Sequence, residues 1–433
     1  MVLVREEKTE VGSYFISNYP PFSFWKKEFA GLAGEALDRA PAPGTDLGLY
    51  LHIPFCRKRC KFCYFRVYTD RNARQVERYL AALTREVELY SRTPAVASRR
   101  LRFVYFGGGT PSFLSEKQLL GLAGRLEALV SWKDAEEVTF ECEPGTLTES
   151  KLRAIREIGV TRLSLGVENF SDAVLAENGR AHRSPEILRA YGWARAAGFD
   201  QINIDLIAGM VGETWENWQD CVRKAADLAP DSVTIYQMEL PFNAVYATSL
   251  RSGQVSVADW STKRTWVSHA FDELGKAGYR TSSAYTLMKD PGTRFVYRDA
   301  LWGGADMIGA GVASFSHVGG IHFQNLDQDD AYQSEVEAGR LPVARALAPT
   351  PHQLLVRSLI LQLKLGEVRA SYFREKFGVD IRKQFRDAFD ELKDQGLVAF
   401  DGDRVCVARE GLLRVDGLLP LFFEPEHRGA RYT

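Results

Sequence analysis

Between residues 48 and 237 the chain alternates six times between a short apolar run and an amphipathic one, and this alternation limits the fold more than any other feature. The apolar runs are Gly48–Ile53, Leu101–Phe106, Glu137–Glu141, Arg162–Gly166, Gln201–Ile207 and Ser232–Gln237. They are rich in Val, Ile, Leu, Tyr and Phe, as strands covered by helices should be. Arg74–Tyr90, Ser115–Leu129, Thr148–Ile158, Ser184–Ala197 and Thr214–Ala226 read as helices between them, with Ser115 and Thr148 as N-caps. Six β–α units in a row predict a parallel sheet with right-handed crossovers. In barrels of this kind, chemistry gathers at the C-terminal ends of the strands.

The loop after the first strand runs Tyr50-Leu51-His52-Ile53-Pro54-Phe55-Cys56-Arg57-Lys58-Arg59-Cys60-Lys61-Phe62-Cys63 and holds half of the six cysteines. Their spacing is C-x-x-x-C-x-x-C. Three thiolates cannot pair off as disulfides, and in a reducing compartment a cysteine cluster means metal or catalysis. They can hold three corners of a cubane iron–sulfur cluster, whose fully protein-held form takes four. The fourth iron then stays open to a small molecule. A structural zinc with His52 as fourth ligand also satisfies the ligand count. His52, however, lies in a strand that Pro54-Phe55 breaks, and its ring need not face the loop.

The second strand ends in Gly107-Gly108-Gly109-Thr110-Pro111, which lets backbone approach a ligand closely. The third ends Phe140-Glu141-Cys142-Glu143-Pro144. The fourth runs into Gly166-Val167-Glu168-Asn169-Phe170, followed by Asn178-Gly179-Arg180, and the fifth contains Asp205. A carboxylate in an apolar strand is costly to bury unless it is paired or hydrogen-bonded. Each therefore reads either as a structural ion pair, with Arg162 or Arg180 as partner, or as a ligand-holding group.

These motifs resemble the radical S-adenosylmethionine (SAM) superfamily, whose cluster motif has an aromatic before the last cysteine, here Phe62. The wording Tyr-Leu-His-Ile-Pro-Phe-Cys is similar to the oxygen-independent coproporphyrinogen III oxidase group, which includes methyltransferase relatives and a haem-chaperone branch. The similarity runs from about residue 12 to the C-terminal region. It implies an α/β fold with a partial six-stranded (β/α) barrel and a helical, winged-helix-like C-terminal cap. It also implies a 4Fe–4S cluster on Cys56, Cys60 and Cys63, with SAM as second cofactor and two SAM molecules in the methyltransferase relatives. Cofactor contacts are implied for Tyr50, Phe62, Gly108, Gly109, Thr110, Glu141, Glu168, Arg180, Asp205, Met238 and Phe315. The chemistry suits SAM, because ribose hydroxyls and an ammonium meet carboxylates while a carboxylate meets arginine.

The chain departs from the oxidase pattern in three places. Phe65 stands where the oxidase has a further cysteine, Glu168 stands where it has glutamine, and Gln237-Met238-Glu239 leans toward the relatives. The expected function is reductive SAM cleavage, with a second SAM used for C-methylation or cyclopropane formation on an unsaturated small molecule. Oxidative decarboxylation of coproporphyrinogen III and a haem-binding chaperone are the alternatives. The reduction needs an electron donor such as flavodoxin or ferredoxin.

A net charge of −1 gives no electrostatic reason to expect nucleic acid or an anionic membrane as partner. Met1 to Glu10 carries charges and no apolar core, unlike a signal peptide. No apolar run reaches the ~18 residues of a membrane span, so the chain reads as cytoplasmic. The isolated Cys142, Cys221 and Cys406 read as buried small hydrophobes. Residues 12–25 are aromatic and broken by prolines, and form an arm or a lid. Lys26–Leu37 and Ala258–Lys276 read as helices, Gly278–Thr286 as a strand, and Leu301–Ser316 as a glycine-rich stretch, either backbone close to a ligand or the barrel mouth or a packed turn. From Pro351 the pattern becomes Leu354–Leu363, Ala370–Phe377 and Ile381–Gln395 as helices, with a hairpin of Leu397–Phe400 and Val405–Val407. This order resembles a winged helix. Residues 351–433 nevertheless carry 14 Lys+Arg against 13 Asp+Glu, which suits a cap better than a DNA-binding module. The expected units are an arm at 1–45, the barrel with its extension at 46–320, and the cap at 321–433.

Overall fold

The computed structural model describes residues 9, 10, 12 and 16–430. Six parallel strands lie side by side in chain order: β1 (Leu47–Ile53), β2 (Leu101–Gly108), β3 (Glu137–Cys142), β4 (Arg162–Glu168), β5 (Gln201–Ala208) and β6 (Ser232–Gln237). The helices Ala73–Ser91, Glu116–Glu127, Glu149–Glu157, Ser184–Ala197 and Trp215–Leu228 lie between them in the chain. Ser115 caps its helix by accepting from the amide of Gln118, and Thr148 does the same for Lys151.

The strands alternate rather than being apolar on both faces. Leu49, Leu51, Val104, Phe106, Val138, Phe140, Leu163, Leu165, Ile202, Ile204, Val233 and Ile235 are buried in the main hydrophobic core with the helices. Residues of the opposite parity, among them Tyr50, Tyr105, Glu141, Ser164, Asp205 and Thr234, line a cavity instead. Here a polar ladder satisfies itself. Asn203 Nδ2 donates to Ser164 Oγ and Asp205 Oδ1, both at 2.9 Å, while Ser232 and Thr234 donate to its Oδ1 at 2.8 and 3.0 Å. The floor is packed tight. A Cβ at Gly48 would lie 1.9 Å from the Phe103 ring. Gly48→Ala is therefore expected to cost about 1–3 kcal/mol by overpacking, seen as a lower urea midpoint at unchanged slope.

Beyond β6 the chain differs from the expectation. Gly278–Thr286 is not one strand but two short ones, β7 (Arg280–Thr281) and β8 (Thr286–Met288). Ser283 makes the break, its hydroxyl accepting from the amides of Tyr285 and Thr286. The glycine-rich stretch Leu301–Ser316 contains β9 (Asp306–Ala310), which pairs parallel to β1 on the side away from β2. Three more strands, β10 (Phe315–Val318), β11 (Ile321–Asn325) and β12 (Val343–Leu347), extend the sheet antiparallel to twelve strands. Residue 320, the expected end of the barrel unit, falls inside the β10–β11 hairpin, and the sheet runs on to Leu347. Glycine is required at 309, because a Cβ there would sit 2.1 Å from the Phe315 carbonyl oxygen where the chain doubles back.

The C-terminal unit has its own core, including Leu355, Leu359, Phe373, Phe389 and Phe422. The helix expected at Ile381–Gln395 is split into Ile381–Gln384 and Arg386–Asp394, because Phe385 leaves helical geometry at φ −115° and ψ 36°. A small sheet pairs β13 (Glu367–Arg369), β15 (Arg404–Val407) and β14 (Val398–Asp401) in that order. Cys406 sits there half-buried, whereas Cys142 and Cys221 are buried.

Of the expected arm at 12–25, residues 13–15 lie outside the described residues. The rest joins the two cores. Tyr19 is fully buried against Phe423 and His427, with ring centroids 4.8 and 5.1 Å away. Phe22 packs on Phe315 at 4.3 Å, and Trp25 stacks on His322 at 5.2 Å. Among the described residues, no helix is long and apolar enough to cross a membrane.

Candidate active site

A cavity of about 1540 Å³ opens at the C-terminal ends of β1–β6, and all fourteen residues expected at the site line it. The cysteine loop is held to the frame by its backbone. The Cys56 amide donates to the Tyr68 carbonyl at 3.0 Å, and the Lys61 amide to that of Asn178 at 3.1 Å. Arg57 forks onto Glu143 at 3.1 and 2.9 Å, and His182 bonds the same carboxylate at 3.2 Å. Burial alone would raise Glu143, but its hydrogen bonds to His182 and Arg57 hold it down at about 2. Glu143, two residues past Glu141, was not singled out as a site residue in the sequence. It anchors the loop rather than facing a ligand.

The thiols have polar neighbours. Thr110 Oγ1 donates to Cys56 Sγ at 3.3 Å, and an Arg180 guanidinium nitrogen donates to Cys60 Sγ at 3.3 Å. Burial pushes the Cys56 thiol up to about 11 and Cys63 to about 12. Gly109 forms the cradle behind them. A Cβ there would lie 2.9 Å from the Pro54 carbonyl carbon, 3.0 Å from the Ile53 oxygen and 3.1 Å from Cys56 Sγ.

The His52 ring does not join the thiols. Its Nδ1 lies 3.2 Å from the Tyr50 hydroxyl, and a Cβ on Gly108 would meet that nitrogen at 2.5 Å. One tetrahedral zinc would need sulfurs about 3.8 Å apart. Among the described residues the one trio whose ligand atoms all lie within 4.8 Å of one another is Glu424, Glu426 and His427, so the three thiols are not all that close. Three separated thiols beside an open cavity fit a cluster better than a single ion.

Next to the thiols stand the strand-borne carboxylates. Glu141 accepts from the Tyr105 hydroxyl at 2.7 Å and the Gly108 amide at 3.1 Å. Glu168 lies 3.7 Å from Arg180, which also donates to the Gly166 carbonyl at 2.6 Å. Asp205 accepts from Ser164 and Asn203. Glu168 takes φ +63° at a bulge between β4 and β5, a left-handed backbone that costs a non-glycine residue about 1–3 kcal/mol. Burial raises Glu141 and Glu168 to about 7 and lifts Asp205 as well.

The remaining expected residues sit elsewhere on the cavity wall. Met238 is 2% exposed and packs in the cluster that also takes Phe62. Phe315 stands on the wall made by β10 and the arm. Sequence reasoning gave Arg162 only as an ion-pair partner. It is 1% exposed, stacks on Phe295 at 3.9 Å, and leaves two guanidinium nitrogens without a hydrogen-bond partner among the described residues. The period-2 reading of β4, which puts Arg162 on the face of Ser164, is the signal that finds it.

The raised carboxylates set a pH dependence. Near pH 7 Glu141 and Glu168 are partly protonated, and only their ionised forms attract an ammonium. With the SAM ammonium placed against Glu141 and Glu168, as the sequence resemblance implies, affinity is expected to rise through about pH 7 and to fall by up to ~10-fold per unit of acidification for each coupled group. Calorimetry in buffers of different ionisation heat should show proton release on binding below that pH.

Comparison with known proteins gives the same picture. The sequence matches the radical SAM superfamily over residues 50–225 and the HemN C-terminal domain over residues 350–414. It is 28% identical over 411 residues to the oxygen-independent coproporphyrinogen III oxidase of Pseudomonas aeruginosa, covering 89% of this chain and 87% of that one. It is 25% identical over 366 residues to the heme chaperone HemW of Bacillus subtilis, covering 84% and 96%. The solved structure of coproporphyrinogen III oxidase (HemN) from Escherichia coli has the same fold, with a TM-score of 0.82 at 24% identity over 94% of this chain and 96% of that one. The three thiols, glycine cradle and ring of carboxylates at the mouth of the parallel barrel thus fall in the stretch that matches the radical SAM superfamily, a family that works with a 4Fe–4S cluster and SAM, and the C-terminal unit matches the HemN C-terminal domain.

Proposed function

We propose that this protein is a radical SAM enzyme acting on a propionate-bearing tetrapyrrole, by oxidative decarboxylation of a side chain. The observation that carries the reading is the size of the chamber. Its volume of about 1540 Å³ exceeds the roughly 300–1,000 Å³ of a pocket built for one drug-sized ligand, and leaves room for a large substrate beside SAM. The relatives are named for coproporphyrinogen III and for haem, both tetrapyrroles carrying propionates. With cluster and SAM bound, reductive cleavage of SAM supplies a 5′-deoxyadenosyl radical that takes a hydrogen atom from the substrate. In decarboxylation the substrate then loses carbon dioxide and one electron, the electron passing to an external acceptor.

The chain's own residues support this role. Cys56, Cys60 and Cys63 would hold the cluster. Glu141, Asp205, Glu168 and Arg180 would orient SAM, with Gly108, Gly109 and Thr110 against its amino-acid end. Phe22 and Trp25 line the chamber, and their apolar rings would help keep water from a reactive intermediate, which suits an enzyme better than a haem carrier. Methylation or cyclopropane formation through a second SAM leans on Gln237-Met238-Glu239, with Phe65 and Glu168 standing against decarboxylation. The named relatives support the tetrapyrrole reading over that one.

The test is anaerobic incubation of reconstituted protein with SAM, a reductant and coproporphyrinogen III. Loss of carbon dioxide from the porphyrinogen together with 5′-deoxyadenosine is the expected result. Deuterium passing from the SAM methyl group into 5′-deoxyadenosine would replace this reading with methyl transfer. Tight haem binding without turnover would replace it with the chaperone.

A further inference from the structure

We propose that Arg357 and Arg345, with His317 and His322 beside them, form a carboxylate subsite in the chamber beneath the aromatic arm. The strands place these groups together. In the antiparallel ladder His317 faces His322, Phe315 faces Gln324, and Gln324 faces Arg345, so all five share one face of β10–β12. The opposite face, with Val318, Phe323 and Ala346, is buried in the main core. Arg357 reaches the same wall from the helix Pro351–Leu363, and all of these polar groups line the chamber.

Arg357 has no counter-charge near it among the described residues, and Arg345 has only Asp327, beyond ion-pair distance. Arg357 is 5% exposed. Among the described residues its one hydrogen bond runs from Nε to Asn18 Oδ1 at 2.6 Å, and no carboxylate lies within ion-pair distance. Arg345 donates to Gln324 at 2.7 Å and to the Phe22 carbonyl at 2.8 Å, again with no ion-pair partner among the described residues. A buried charge without a counter-charge destabilises the fold unless a ligand supplies one. The histidines add neutral donors. Their rings lie 4.7 Å apart, Nε2 of His317 lacks a hydrogen-bond partner among the described residues, and the His322 ring has no partner beyond a weak contact with the Tyr19 backbone. Burial lowers Arg357 to about 10, so it stays charged, while burial and that charge keep both histidines neutral.

An arginine fork matches a carboxylate in two parallel bonds, and imidazole N–H groups can complete its shell. Phe22, packed on Phe315 at 4.3 Å and only partly buried, offers apolar surface to the body carrying that carboxylate, while Trp25 stacks on His322 behind it. The carboxylate could belong to the substrate or to a second SAM. Assigning it to the substrate rests on the tetrapyrrole reading above.

The test uses reconstituted holoprotein and the variants Arg357→Met and Arg345→Gln. Citrate serves as a probe of the subsite alone, and coproporphyrin III as a stable probe of the substrate. Citrate is expected to raise the melting temperature of the parent but not of Arg357→Met. Arg357→Met should melt above the parent when both are free of ligand, because an unbalanced charge is gone. Coproporphyrin III should bind either variant roughly 30-fold or more weakly. SAM stoichiometry separates the two sources. Unchanged stoichiometry assigns the carboxylate to the substrate, and loss of one equivalent with coproporphyrin III binding intact assigns it to a second SAM. A parent that binds no coproporphyrin III but keeps an Arg357-dependent citrate shift would end the tetrapyrrole reading and leave the subsite standing. A citrate shift that is absent from the parent or survives in Arg357→Met overturns the subsite. So does binding of SAM and coproporphyrin III that both variants leave unchanged.

Discussion

Replacing Cys60 with alanine is expected to strip the iron from reconstituted protein and abolish reductive cleavage of SAM while leaving the fold in place. The cysteine loop supplies three thiols, so removing one leaves a cubane two ligands from that loop. The loop itself is held by other groups. The Cys56 and Lys61 amides bond the backbone of Tyr68 and Asn178, and Arg57 forks onto Glu143. None of these bonds uses the Cys60 side chain, which is only partly buried. The melting temperature should therefore stay close to that of the unreconstituted parent. Iron and sulfide analysis and chromatography of 5′-deoxyadenosine check the two losses. A variant that keeps its iron and its turnover, or a parent that takes up stoichiometric zinc and no iron, would refute the ligand set.

Replacing Arg180 with methionine is expected to weaken SAM binding by roughly 10–100-fold, the worth of a hydrogen bond to a charged group. A second effect has a definite sign. Burial raises Glu168, and the Arg180 charge beside it at 3.7 Å is the largest influence holding it down. Without that charge Glu168 rises above about 7, so the pH at which SAM binding becomes strong should move upward. Arg180→Lys keeps the charge, and should restore much of the pH profile but less of the affinity, because the fork to Gly166 and Cys60 is lost. Calorimetric titration of SAM across pH 6–9 measures both. An affinity loss with no movement of the pH midpoint would show that Arg180 acts on SAM alone and not through Glu168.

The sequence by itself determined the six parallel strands, because strand and helix periods alternate cleanly there and each strand is short, with one apolar face rich in Val, Ile, Leu and Phe. Five strands extend one to two residues beyond the expected bounds, and β6 matches them. The cysteine loop, the Gly108-Gly109 turn and the carboxylates of β3 to β5 were legible for the same reason, since each sits at a strand end that the alternation had already located. After β6 the local signal weakens. β9 to β12 are only four or five residues long, and the pairing of β9 with β1 joins segments about 260 residues apart. Nothing local marks Asp306–Ala310 as a neighbour of β1, and it is the ladder between them that closes the glycine-rich stretch against the barrel. The Phe385 break in the last long helical pattern depends likewise on what it packs against, Phe422 among others. The far wall of the chamber was decided by tertiary structure alone. His317, His322, Arg345 and Arg357 lie on four separate segments, each unremarkable as sequence. Only the register of β10–β12 and the docking of the helix Pro351–Leu363 make them one buried surface, because side chains on neighbouring strands meet through pairing rather than through position in the chain.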